Sequence, residues 1–153
     1  MSTMTAFSIK RFLKLNGTPR EIALGFSLGI VIGMSPFLGA HILACILIAS
    51  LLGWSKIASI IGVNITNVVT APIIYPINYW VGVNLIGFSS DISWSMPSDY
   101  RDLIDIFRQS PIILVDLLIG GAVVGIPLAI CGYFIALRSI GLYRKSREMK
   151  KRP

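Results

Sequence analysis

Between residues 22 and 52 the chain is apolar almost throughout, with Ser35-Pro36 near the midpoint. A helix rises ~1.5 Å per residue, so this run would reach roughly 46 Å against a hydrocarbon core of about 30 Å, while each arm alone reaches roughly 20 Å. The run is too long for one crossing, and each half is too short. It is therefore expected to form a re-entrant helical hairpin over residues 19–53, turning at Ser35-Pro36-Phe37-Leu38-Gly39 and leaving a membrane by the face it entered. Composition points to the same solvent: 54% of the residues are hydrophobic and only 14% charged, far from the balance of a soluble domain. The chain reads as a single all-α integral membrane domain over residues 1–153.

Local signals divide it further. Ala6, Ile9, Phe12 and Leu13 share a helical face, with Lys10, Arg11 and Lys14 toward the other, the pattern of an interfacial amphipathic helix over residues 5–15. Thr18-Pro19-Arg20-Glu21 reads as a helix start, with Thr18 as N-cap, Pro19 at the first helical position and Glu21 completing a capping box. Gly25, Gly29 and Gly33 then recur every four residues, a ridge that lets another backbone approach closely. The second arm carries Ala40, Ala44, Cys45, Ala49 and Gly53, so the two small ridges are expected to face each other. Residues 56–88 read as a broken transmembrane helix, in which Asn64, Asn67 and Thr70 lie along one stripe and Pro72 and Pro76 interrupt the hydrogen-bond ladder. A polar loop follows, with an external surface helix expected at 98–109. A second transmembrane helix is expected at 111–138, with Gly121 and Gly125 as a further small ridge, and a basic tail at 139–153.

Charge distribution sets the topology. If residues 19–53 re-enter and the two later runs each cross once, then Lys10 to Lys56 and the tail from Arg138 share one side, leaving only Arg101 and Arg108 opposite. The positive-inside rule then puts both termini in the cytoplasm, with the acidic loop outside. Two short full crossings in place of the hairpin would keep the same parity. The net charge of +7 thus describes the chain's ends, and no nucleic-acid partner is expected. Cys45 and Cys131 lie in apolar runs and read as buried thiols.

Three stretches, Gly17-Thr18-Pro19-Arg20-Glu21-Ile22-Ala23-Leu24-Gly25, Gly33-Met34-Ser35-Pro36-Phe37-Leu38-Gly39 and Asn67-Val68-Val69-Thr70-Ala71-Pro72, resemble a bacterial membrane family called domain of unknown function two-zero-six-two. The resemblance covers roughly residues 15–137; Val68 stands where the family usually shows Pro. Distantly, the pattern is similar to DedA-type membrane proteins, which pair re-entrant hairpins with broken helices and include lipid-carrier translocases. That resemblance implies a transport direction.

Candidate substrate-binding residues follow from the physics of interrupted helices. A helix N-terminus at Gly39-Ala40-His41 would aim N–H groups and a positive dipole end into the membrane, where they suit a phosphate or carboxylate. Ser35 stands beside it, and Arg20 is placed to meet an anionic headgroup. Asn64, Asn67 and Thr70 supply polar groups at depth, and Asp116 is the lone acid of the last run, within snorkelling distance of the outer surface. No nucleophile, paired carboxylate or metal-ligand spacing appears, so neither an enzyme nor a cofactor is expected. The sequence thus supports a small transporter or lipid-carrier translocase, contacting membrane lipids and forming a homo-oligomer. The alternative is a non-transporting membrane scaffold built on its glycine ridges.

Overall fold

The computed structural model describes residue 12 and residues 15–36, 40–65, 70–86 and 111–149. All regular structure among them is helical: α1 (Pro19–Gly33), α2 (His41–Leu51), α3 (Lys56–Val63), α4 (Ala71–Ile86) and α5 (Pro111–Met149). The expected helix at 98–109 lies outside the described residues, as does most of the one at 5–15. Among the described residues one helix, α5, is long and apolar enough to cross a bilayer.

α1 begins as its sequence dictates. Thr18 Oγ1 accepts from the Glu21 N–H (3.2 Å) and Glu21 Oε2 accepts from the Thr18 N–H (3.2 Å), closing the capping box around Pro19. Two orphan donors of the first turn are thereby satisfied. The helix ends at Met34, and after the turn α2 starts at His41.

α2 closes with a left-handed Gly53 (φ +68°), the Trp54 N–H bonding to Ala49 O (2.8 Å) and Gly53 N–H to Ser50 O (3.4 Å). This Schellman turn needs a residue without a Cβ at Gly53. Ser55 then caps α3 by accepting from the Ala58 N–H, while its own N–H donates to Glu21 O (3.2 Å). That last bond sets the start of α3 beside the start of α1, and the two run parallel.

The glycine ridge of α1 is used, but by α3 instead of α2. A Cβ on Gly25 would strike the Ser55 backbone; one on Gly29 would lie 2.7 Å from Val63 N and 2.9 Å from Gly62 Cα. Gly62 in turn abuts the Phe26 carbonyl. The reason is reciprocal smallness: Ser55, Ser59 and Gly62 give α3 a face as flat as the ridge it meets. α2 buries only Cys45 and Ala49 and makes its larger contact with α3.

α5 is the element against which the rest is measured, about 58 Å long at 39 residues. α1 lies antiparallel on its C-terminal half: Ile22 and Ala23 cluster with Ala136 and Ile140, Ser27 Oγ donates to Ala129 O (2.9 Å), and Met34 meets Gly121 and Gly125. α4 takes over beyond Met34, with Asn78 against Gly120 and Gly82 against Asp116. α1 and α4 therefore follow one another along α5 in the same direction, and the break after α1 falls about a third of the way along it, beside Gly121 and Gly125.

Two expectations are corrected. α5 does not stop near residue 138 but continues as helix to Met149, where Arg144 Nη2 donates to Leu15 O (3.0 Å) and Gly17 O (2.7 Å). Phe12 packs against Phe26, ring centroids 5.2 Å apart and planes tilted by 58°. In addition, Cys131 is exposed whereas Cys45 is buried, because Cys131 falls on the outer face of α5.

Candidate functional site

Where α1 stops and α2 starts, a cavity of about 370 Å³ opens between α1, α2 and α5. Ser35 and His41 are its polar side chains, set among Val31, Ile48, Leu118 and Ala122. Both had been singled out from sequence, and the fold brings them together. His41 is the first residue of α2, half-buried, and Ala40 before it offers no side-chain cap. The N–H groups of that first turn lie at the cavity's edge with the positive end of the helix dipole. Ser35 Oγ donates to Ile32 O (2.6 Å), taking up one carbonyl at the C-terminus of α1.

The opposite wall of this junction holds a residue that sequence reasoning passed over. Asn78 of α4 is fully buried and its Nδ2 donates to Met34 O (3.2 Å), a carbonyl that α1 leaves unused where it ends. Its Oδ1 is buried with no hydrogen-bond partner. Tyr75, one turn earlier, places its hydroxyl 3.5 Å from Ser35 O. The signal was present as an Asn among apolar residues, two residues after Pro76. Its significance comes only from α4 crossing the end of α1.

The other candidates scatter. Arg20 is exposed in the first turn of α1, at the far end of that helix from the cavity. The polar stripe dissolves, since Asn64 is the C-cap of α3 and Thr70 immediately precedes α4. Asn64 Nδ2 bonds back to Ile60 O (2.7 Å), and Thr70 Oγ1 to Ile65 O (2.8 Å) across the break. The break precedes both prolines: Pro72 occupies the first turn of α4, where its missing N–H costs nothing, and Pro76 is accommodated inside the helix. Asn67 and Gly39 lie outside the described residues.

Asp116, expected to snorkel outward or to pair with a loop arginine, is wholly buried on the face of α5 that meets Gly82; the loop arginines lie outside the described residues. A Cβ on Gly82 would overlap the Asp116 backbone, and one on Gly120 that of Asn78. The two helices touch backbone to backbone. Among the described residues no three of His, Cys, Asp and Glu gather as a metal would require.

The arrangement can receive a small polar or anionic group attached to an apolar body. Its N–H end and imidazole supply donors, and its walls supply hydrocarbon. No curated protein and no solved structure matches the chain. A family model described as "Uncharacterized protein conserved in bacteria (DUF2062)" matches residues 3–149, and the chain belongs to that family.

Proposed function

We propose that this protein lies in the bacterial inner membrane and translocates an anionic solute or lipid carrier past the tip of a re-entrant hairpin. In this reading α1 and α2 enter from the cytoplasm and return, α3 and α4 form one broken crossing, and α5 crosses whole. Large apolar side chains face outward from α2, α4 and α5, among them Leu51 (85% exposed), Trp80 (67%) and Ile135 (66%). A surface of that kind is stable against lipid and not against water. Arg20, Lys56, Arg138, Lys145 and Arg147 are exposed around the shared start of α1 and α3 and the end of α5, the distribution that the positive-inside rule expects of a cytoplasmic face.

The observation that carries the transport reading is the meeting of interrupted helix ends beside a cavity that faces the N-terminal third of α5. Broken helices at depth are the recurring substrate sites of secondary transporters. A second copy of the chain would complete the wall of a path that five helices leave open. The scaffold reading loses its main support, since Gly25, Gly29, Gly82, Gly120 and Gly121 are spent on contacts within the chain.

The test is flux of labelled polyprenyl phosphate or phospholipid in proteoliposomes. His41→Ala is expected to abolish protein-dependent flux while leaving the fold intact by circular dichroism. Equal flux with and without protein sinks the proposal.

A further inference from the structure

The tip cavity belongs to the site already described, but a second depression lies apart from it. An open groove of about 410 Å³ runs between α1 and α5, with Leu24, Ser27 and Val31 on one wall and Ile126, Ile130 and Phe134 on the other. The three α5 side chains are 50%, 53% and 62% exposed. Ser27 adds no free polarity, because its hydroxyl is engaged with Ala23 O (3.0 Å) and Ala129 O (2.9 Å). The groove is hydrocarbon along its whole length, and its volume falls within the ~300–1,000 Å³ typical of small-ligand sites.

Helical periodicity carries each wall one turn further, to a cation. Arg20 precedes Leu24 by four residues and Arg138 follows Phe134 by four, so each continues its own stripe. Both are exposed. The antiparallel register that sets Ile22 and Ala23 against Ala136 and Ile140 brings the two cations to the same end of the groove. At the other end Val31 also lines the tip cavity.

We propose that this groove seats one acyl chain of an anionic glycerophospholipid whose headgroup is held by Arg20 and Arg138. The inference rests on the membrane placement argued above. Charge complementarity selects the occupant. A second copy packed two-fold through the same groove would set Arg20 and Arg138 against their own counterparts, whereas a phosphate neutralises them.

The full-length protein is reconstituted into phosphatidylcholine vesicles doped with phosphatidylglycerol carrying a diazirine in its acyl chain, photolysed and mapped by peptide. Adducts are expected to concentrate in residues 24–31 and 126–134. Arg20→Gln with Arg138→Gln should lower them on the order of tenfold, leaving adducts at Ile73 and Trp80 of α4 unchanged. Adducts spread evenly over the apolar faces, or indifferent to the double substitution, overturn the proposal. So does a disulfide-linked dimer formed efficiently by Ile130→Cys, which would name a second copy as the occupant. Flotation of the same vesicles separates the two levels of failure. Protein that does not float refutes the membrane placement and the groove with it, whereas floating protein without groove adducts refutes the groove alone.

Discussion

Replacing glycines one at a time by alanine should produce effects of opposite sign along this chain, and the sign follows from what each new methyl group would meet. In the interior of a helix Ala is favoured over Gly by about 1 kcal/mol. At Gly141 nothing lies within 4 Å of the added carbon, so Gly141→Ala should gain most of that amount. At Gly132 the methyl would meet the Ile30 Cδ1 at 2.6 Å and the Phe26 ring at 3.4 Å. Both are side-chain atoms that can swing aside, and gain and loss should roughly cancel. At Gly29 the nearest atoms all belong to backbone: Ser59 O, Val63 N at 2.7 Å and Gly62 Cα at 2.9 Å. None can yield without moving α3 as a body.

Overpacking of that kind costs typically about 1–3 kcal/mol and more where the neighbour is rigid. After the propensity gain, Gly29→Ala should lose about 2 kcal/mol. Unfolding of the three variants by sodium dodecyl sulfate titration in mixed micelles, followed by Trp fluorescence, measures the series on one scale. The expected order is Gly141→Ala above wild type, Gly132→Ala close to it and Gly29→Ala well below. If Gly29→Ala were as stable as Gly141→Ala, α1 and α3 would not be in backbone contact, and the parallel placement of the two half-helices would fall.

Arg144→Gln should cost about 1.5 kcal/mol, the lower end of the range for bonds to a charged group because one of its two carbonyl contacts is exposed; amide hydrogen exchange should speed at residues 15–18, and unchanged protection there would show the clamp to be idle. Arg144→Lys should restore little of it, lacking the guanidinium fork. For topology, Ala40→Cys in a chain with Cys45→Ala and Cys131→Ser should react with an impermeant maleimide added from the cytoplasmic side of oriented vesicles; reaction only from the outer side contradicts re-entry from within.

What the sequence disclosed was what is settled within one turn. Thr18, Pro19 and Glu21 specify the start of α1 because every group in a capping box is within three residues of its partner. The start of α2 at His41 was legible for a related reason, since the apolar run resumes immediately after a Pro- and Gly-containing turn. The partner of the glycine ridge was not legible. A ridge states that some flat surface must approach, and Ser55, Ser59 and Gly62 make one without announcing it as a run of glycines. Asp116 and Asn78 were misjudged or missed for the same cause. Their burial depends on Gly82 and Gly120 letting α4 and α5 touch, a property of two distant segments at once. The helix through Arg144 was hidden by charge, because a switch from apolar to basic residues looks like the end of a helix even where Arg, Lys and Glu sustain it.

Division of one long partner of α5 into α1 and α4 leaves helix ends beside the N-terminal third of α5, and the chain treats the two kinds of end differently. Carbonyl ends are met by side chains: Met34 O by Asn78, Ile32 O by Ser35, Ile65 O by Thr70. The first of these bonds is buried, and it offsets a group whose burial unpaired would cost about 1–3 kcal/mol. At the N–H end of α2, Ala40 brings no side chain able to accept, and a cavity stands against it. Under the transport reading, an Asp at this end would repel an anion outright. On that reading Ala40→Asp should lower flux of an anionic ligand while leaving helical content by circular dichroism unchanged; a variant equally competent in flux would refute the placement of the anion at this helix end.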